Sequence, residues 1–553
     1  MRGATFTRSA AAMAGLAMLL LLASTAGAVN LWQGDPETVG DWFSAADWSL
    51  GAVPTLADAQ DVQITADGQV RIADANAQAY RLLLGVGAGQ SGTLNLASGS
   101  LASTNNALLA CYVGYDGTGT FQHTGGTHSI QGALMVGHGS GSTGRYELGG
   151  AASQVSASFG FVGWEGAGTF QHAGGAYAGD SLYVGYYAGS SGSFAQTAGT
   201  TSLADHLYVG LWSDDARYTL GGTGQISATA LLVGYYGGSN GQFEQSGGAV
   251  TLADRLSLGW EASVAQGDAR GSYRITAGTL RTPSLLVGTE GWGTLDMAGA
   301  AARVSVADTL HFGPHATLTA VQNAAIRLTG ATAAVENLST DPAAMAGLSN
   351  LVLVCENGIG AAASLEVGGT DQGAVEEGFA GNFALDLLRV GDNLAGSLRL
   401  ADAVDNRTDS PEPEALYVDH VVLAEGSQLD LNGLNVYAHR LTDLGGTILE
   451  NGGSLTLLSP PISADFNGDG DVDGADFLAW HNGYRTDSGA AHSQGDADAD
   501  GDVDARDFWA WRNEFQAGLG AASESAPATF GAIPEPTTLA LLALAALAVR
   551  RKR

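Results

Sequence analysis

Lysine is almost missing from this chain: Lys552 is the only one in 553 residues. A lysine nucleophile, a Schiff base and a phosphate-loop lysine are therefore excluded from the body of the protein. Positive charge of any kind is scarce. Lys and Arg total 23 against 56 Asp and Glu, for a net charge of −33 and a pI near 4.4. Such a chain is a poor partner for nucleic acid and offers no basic surface to anionic lipid. Cysteine is limited to Cys111 and Cys355. These two can form one bridge at most, but their settings favour two buried thiols. Cys111 aligns with Leu134 of a neighbouring repeat, and Cys355 closes the apolar run Leu351-Val-Leu-Val. No Gly-x-Ser-x-Gly, metal-binding His pair or phosphate loop occurs.

Glycine, by contrast, is abundant, at 81 residues. Much of it marks a repeat, in which an apolar residue is followed by glycine. The markers are Leu84-Gly85, Val113-Gly114, Val136-Gly137, Val162-Gly163, Val184-Gly185, Val209-Gly210, Val233-Gly234, Leu258-Gly259, Val287-Gly288 and Phe312-Gly313. After each comes a Gly/Ser-rich turn, then an aromatic-led strand such as Phe121-Gln-His-Thr-Gly-Gly126. A third short segment such as Val250-Thr-Leu-Ala253 leads to the next marker. Three short strands in about 24 residues suit one rung of a parallel β-helix, whereas a propeller blade needs about 40–45 residues. Rungs stacked ~4.8 Å apart make these repeats about 45 Å long. The fold expected is mainly β: a parallel β-helix (solenoid) over 81–335, a β cap over 29–80 and a second β region over 336–458. That second region reads as a sandwich or as irregular rungs. The cap carries Trp32, Trp42, Trp48 and Val53-Pro54, a pattern that resembles the opening of autotransporter-like surface proteins.

The aromatic position (Phe121, Tyr146, Phe170, Phe194, Tyr218, Phe243, Tyr273) reads as core rather than as a sugar-stacking face. Two residues on, the chain often places Leu148, Leu220, Ile275 or Met297. His123 and His172 share that inward position two rungs apart, ~10 Å, too far to hold one metal together. One carboxylate pair has catalytic spacing: Glu261 and Glu290 each follow a marker glycine by two residues, with Trp260 and Trp292 nearby. In-register stacking would put them about 5 Å apart, as in a retaining glycosidase. The exposed turns that carry them favour scattered acids instead, and no catalytic residue is assigned.

Two stretches near the C-terminus carry the clearest chemistry. Asp465-Phe-Asn-Gly-Asp-Gly-Asp-Val-Asp-Gly-Ala-Asp476 and Asp496-Ala-Asp-Ala-Asp-Gly-Asp-Val-Asp-Ala-Arg-Asp507 begin 31 residues apart. Each has oxygen side chains at positions 1, 3, 5, 9 and 12 and glycine at position 6. That is the spacing of a calcium loop: the side chains converge, position 7 offers its carbonyl, and position 12 returns a carboxylate from a following helix. Between Asp465 and Glu514 there are 13 acids and 3 arginines, a density that favours bound cations over an empty fold. The pair resembles a type I dockerin over 464–516. That resemblance implies a small α-helical module, two calcium ions and docking to a cohesin-like or other surface protein. Its ligands carry over to Asp465, Asn467, Asp469, Asp473 and Asp476 and to Asp496, Asp498, Asp500, Asp504 and Asp507. Asp471 and Asp502 contribute through their carbonyls. Dockerins often read their partner with Ser-Thr at positions 10 and 11, where this chain has Gly474-Ala475 and Ala505-Arg506.

The ends read as addresses. Residues 1–28 have the form of a secretory signal: Arg2 and Arg8, an apolar core from Ala10 to Leu22, and the small-residue site Ala26-Gly-Ala28. Residues 459–463 form a linker at Pro460-Pro461, and 517–533 form an Ala/Ser/Gly-rich spacer. In 534–553, Pro534-Glu535-Pro536 is followed by the apolar run Thr537 to Val549 and by Arg550-Arg-Lys-Arg553. This resembles a PEP-CTERM sorting signal, which implies an exosortase-type processing enzyme. Thirteen helical residues reach only ~20 Å against a ~30 Å hydrocarbon core, which suits a transient membrane contact. The reading favoured is a non-catalytic, exported cell-surface scaffold or adhesin-like protein. The alternative is a carbohydrate-active β-helix enzyme or a polysaccharide-binding protein, by analogy of fold.

Overall fold

Each sequence repeat folds as one turn of a parallel β-solenoid, which makes about 11 turns. The computed structural model describes residues 28–103, 109–261, 268–360, 362–406, 413–458, 464–486, 489–498 and 501–522. Residues 1–27, where the secretory signal is expected, residues 459–463, where the linker is expected, residues 523–553 with the sorting motif, and Asp500 lie outside them. The solenoid occupies the first of two units, Met1–Leu458.

Three strand ladders form its faces. The marker residues end the strands of the first face: Leu82, Cys111, Leu134, Gly160, Leu182, Leu207 and Leu231 pair in succession, all parallel. The aromatic-led strands form the second, in which Phe121, Tyr146, Phe170, Phe194, Tyr218, Phe243 and Tyr273 are each paired with the next. The third runs through Val155, Tyr177, Thr201, Ile226, Val250, Leu280, Val304 and Ile326. Strand periodicity points alternate residues into the lumen, and those residues are the apolar ones.

The marker glycine makes the first corner possible. In Gly85, Gly114, Gly137, Gly163, Gly185, Gly210, Gly234, Gly259 and Gly288, φ lies between 63° and 79°, a region L side chains resist. A Cβ on Gly163 would also lie 2.3 Å from the Ser191 carbonyl oxygen of the next turn. Gly313, the last marker, is not left-handed, and the regular corner ends there.

In the lumen, the seven aromatic rings are fully buried. Successive centroids lie 4.5–5.0 Å apart with planes within 8° of parallel. Each ring removed from water contributes about 1.5–3 kcal/mol, and stacking adds to it. Two residues on, buried His123, His172, Gln196 and Gln245 interrupt the run of Leu148, Leu220, Ile275 and Met297. Each polar side chain bonds the carbonyl of the glycine three residues later: Gly126 at 3.0 Å, Gly175 at 3.3 Å, Gly199 at 3.0 Å and Gly248 at 3.3 Å. Three of the four also meet the hydroxyl of the ring in the next turn. Tyr146 meets His123 at 3.0 Å, Tyr218 donates to Gln196 at 2.6 Å, and Tyr273 donates to Gln245. Tyr therefore replaces Phe in this stretch only where the previous turn offers a polar partner. His172 precedes Phe194 and bonds the Thr201 hydroxyl at 3.3 Å instead.

The ends of the solenoid are irregular. Trp32, Trp42 and Trp48 pack edge to face at 5.0 Å over the first turns, and the Trp48 indole donates to the Trp42 carbonyl at 2.8 Å. They cover apolar edges that would otherwise template association. After the strand Ala316–Ala320 the second face is interrupted, and a 3₁₀ turn, Ala346–Asn350, takes its place beside Leu318. The strands of residues 336–458 extend the other two ladders, through Leu398, Leu429 and Ile448 and through Leu353, Leu388, Val421 and Leu441, and a further ladder forms through Leu416, Val436 and Leu455. They are irregular rungs of the same solenoid. Cys111 and Cys355 are both free and buried.

Burial lowers the pKa of His172 to about 4, with the Gly175 and Gly174 backbone opposing it. The folded state thus prefers neutral imidazole, and its contribution, present above the unfolded pKa near 6.5, is lost as pH falls toward 4. His172→Gln, which copies turns 196 and 245, should unfold like wild type at pH 7. At pH 5 it should be more stable by about 1–2 kcal/mol. Thermal melts across this range check it, and an unchanged pH slope contradicts it.

Candidate metal centre

The second unit, Ser459–Arg553, contains the two aspartate loops and two helices, α1 (Gly474–Gly483) and α2 (Ala505–Ala522). Each helix starts where its loop ends. In α1, Asp473 caps by accepting from Ala475 N at 2.7 Å. Asp476 returns a bond to Asp473 N at 2.8 Å, completing a capping box. Loop positions 9 and 12 therefore serve the helix and the loop together. Asp507 does the same for α2, accepting from Asp504 N at 2.7 Å.

The first loop winds around its position-1 carboxylate. Asp465 accepts from the backbone N–H groups of Gly468 at 2.7 Å, Asp469 at 3.1 Å and Gly470 at 2.8 Å. Asn467 and Asp469 each accept from the residue two further on, and Asp476 reaches back to Asn467 N at 3.2 Å. Gly470 and Gly501, at position 6, have φ of 95° and 87°, the bend that side-chain convergence needs.

The second loop gathers its carboxylates more closely. One oxygen each from Asp496, Asp498 and Asp507 lies within 4.8 Å of the others, and the same holds for Asp502, Asp504 and Asp507. Asp507 is buried, accepts from Ala497 N at 2.7 Å, and is raised in pKa by burial against those backbone bonds. Asp496 is 3% exposed, accepts from Gly501 N through Oδ2, and leaves Oδ1 buried with no hydrogen-bond partner. A buried, unsatisfied carboxylate oxygen among other acids is costly, and a calcium ion in an all-oxygen site fits it. Asp471 and Asp502 stand at position 7, and Asp500 lies outside the described residues.

Reciprocal bonds join the loops. The Trp480 indole donates to the Asp504 carbonyl at 2.8 Å, and the Trp511 indole donates to the Asp473 carbonyl at 2.7 Å. Each tryptophan follows its own position 12 by four residues and bonds position 9 of the other loop. That shared offset is the signal in the sequence, although a purely aromatic reading of the helix starts passes over it. Phe466, Ala464, Ala497 and Ala510 are buried between the halves. Val503 is buried and exchanges backbone bonds with Arg485 and Thr486, while Val472 is half-buried against Phe466 and its neighbours. Gly474, Ala475, Ala505 and Arg506 are exposed.

In the solenoid, the Glu261 and Glu290 pair occupies outer turns, Glu261 half-buried and Glu290 exposed. The Trp292 indole bonds Asp268 at 2.9 Å, and Trp260 stacks on Tyr235 under Arg255.

The family described as the PEP-CTERM protein-sorting motif matches residues 532–553. No curated protein and no solved structure matches the chain. The motif marks an exported protein that is sorted to the cell surface and processed by an exosortase-type enzyme. The match covers those residues alone, and the aspartate loops and the repeats lie outside it.

Replacing Trp511 by Phe should cost the module about 1 kcal/mol by removing the indole bond to the Asp473 carbonyl, which keeps only its longer bond from Phe477 N at 3.3 Å. Trp480→Phe should cost about the same. Urea unfolding of the helical signal in the full chain measures both, and no shift in either midpoint contradicts the reciprocal lock.

Proposed function

We propose that this chain is a non-catalytic cell-surface scaffold, adhesin-like in kind, whose solenoid is accompanied by a dockerin-like module holding two calcium ions. The observation that carries the reading is the pairing of two like-spaced aspartate loops by reciprocal tryptophan bonds. It supports one symmetric two-ion unit rather than an acidic linker. Calcium at Asp465, Asn467, Asp469, Asp471, Asp473 and Asp476 and at Asp496, Asp498, Asp500, Asp502, Asp504 and Asp507 offsets the crowded charge and orders the helices. The ions are structural: they fix the outer faces of α1 and α2.

Docking then falls to those faces. Leu478 and Trp509 occupy the same offset after position 12 in α1 and α2 and are 57% and 48% exposed. With Gly474-Ala475 and Ala505-Arg506 in place of hydroxyl pairs, the module offers a partner an apolar surface edged by Arg506 and by Arg512, which lies 4.2 Å from the Trp509 ring centroid. A cohesin-like or other surface protein that docks here must bury those two side chains.

Polysaccharide binding is a second reading, on one specific observation. Outside the first face, Tyr187, Trp212 and Tyr236 are half-buried and stacked, and Tyr187 and Trp212 line an open depression with Asp214, Gly237 and Gly238. Affinity electrophoresis in plant and algal polysaccharides, with Trp212→Ala as the control, separates this reading from the first.

Calcium titration of the full chain followed by far-ultraviolet circular dichroism tests the module. Helical signal should rise with calcium, fall on chelation, and stop responding in the Asp465→Ala/Asp496→Ala variant. A helical signal indifferent to chelation contradicts the proposal.

A further inference from the structure

A second group of carboxylates lies in the solenoid, where nothing in the repeat calls for one. Glu366 ends the strand Ala363–Glu366, and its ladder partner is Ala401. Asp402 is the next residue after that partner. Glu414 opens the strand Glu414–Leu423 and pairs antiparallel with Thr370. One oxygen from each of Glu366, Asp402 and Glu414 lies within 4.8 Å of the others. The three come from separate strands and connections, so the fold brings them together and local sequence does not.

Two of the three, Glu366 and Glu414, are buried, and Glu414 is incompletely bonded, while Asp402 is exposed at the mouth of the group. Glu366 is 9% exposed and accepts from Ala403 N and Val404 N, both at 2.7 Å. Glu414 is 5% exposed and accepts from Asn406 N at 2.6 Å through Oε1. Its Oε2 is buried with no hydrogen-bond partner, as are Asn406 Oδ1 and the hydroxyl of Thr370 opposite. The Asn406 amide nitrogen is committed to the carbonyls of Asn337 and Ser339, at 2.9 and 2.8 Å, which fixes that side chain as an oxygen donor.

We infer that Glu366, Asp402 and Glu414, with the Asn406 side-chain oxygen, form a structural calcium site in the solenoid, separate from the two aspartate loops. Two buried carboxylates converging with an exposed third repel one another unless a cation or protons intervene. Burial raises the Glu414 pKa to about 7, and Asp402, Asp405 and Glu366 add to it, so the site without an ion holds its charge at a cost. The donors are all oxygen, the set that suits a hard divalent cation rather than zinc or copper. Calcium–oxygen bonds of ~2.4 Å place opposite ligands ~4.8 Å apart, and the three oxygens here lie within that limit of one another. The ion would tie strand Ala363–Glu366, the turn after Ser397–Ala401 and the start of Glu414–Leu423 together.

The test uses the full chain carrying Asp465→Ala and Asp496→Ala, so that the aspartate loops no longer contribute. Calcium bound after equilibrium dialysis should be one ion per chain, and adding calcium should raise the melting temperature of the β signal. Introducing Glu414→Gln removes one buried charge at constant shape. It should abolish both the bound calcium and the calcium-dependent shift, while leaving the β spectrum intact and the calcium-free melting temperature equal or higher. Glu366→Gln should do the same and serves if the first variant does not fold. The inference is overturned if the loop-disabled chain is folded but binds no calcium, or if Glu414→Gln and Glu366→Gln bind as much as their parent. Failure of the loop proposal reads out differently, as an unchanged calcium count between wild type and the loop-disabled chain.

Discussion

Parallel stacking in register is the constraint on which the solenoid depends. Strand spacing of about 4.8 Å sets each side chain directly upon its counterpart one turn away. Every position then acts as a column, and a column tolerates only residues that satisfy one another. Flat rings suit it: from Phe121 to Tyr273 the centroids keep the strand spacing and the planes stay parallel. A buried hydroxyl is admitted where the turn before supplies His123, Gln196 or Gln245. The marker glycines belong to the same constraint, because the Gly163 corner lies against the Ser191 carbonyl of the next turn with no room for a Cβ.

The parts of this fold that repeat were the parts readable from sequence. The marker glycines, the aromatic column and the apolar residues two positions on recur at a regular interval, so their inward direction followed from strand alternation alone. His123 and His172 were legible as polar members of a column, but their partners were not. The Tyr146 hydroxyl is one turn away, and the glycine carbonyls depend on the corner conformation. Residues 336–458 gave no regular period because the second face is interrupted by the 3₁₀ turn Ala346–Asn350 and the connections there are unequal, with a third ladder present only through Leu416, Val436 and Leu455. The carboxylate group at Glu366, Asp402 and Glu414 was invisible because its members come from separate strands and connections with no shared spacing.

The aspartate loops present the opposite case. Their ligand spacing is local and was readable outright. The joining of the halves is not local: Trp480 and Trp511 each cross to the other loop's position-9 carbonyl. The two units handle acidity differently. The solenoid keeps most of its acids on outer turns and pairs several with arginine, as in Arg145–Glu147 and Arg217–Glu244, contacts worth little individually in water. The module concentrates its acids and has few arginines, which is the charge balance that the proposed calcium ions would offset.

Phe194 sits in the middle of the aromatic column, with Phe170 at 4.5 Å on one side and Tyr218 at 4.6 Å on the other. Hydrogen exchange of the Phe194→Ala variant, read strand by strand beside its equilibrium unfolding, tests the stacked column most directly. The variant should lose about 3–5 kcal/mol. Protection should fall in the flanking strands Ala167–His172 and Asp215–Leu220 as well as in its own, because each turn is held by its neighbours. A cost below about 1 kcal/mol, or protection lost only in the strand Ser191–Gln196, would contradict the account.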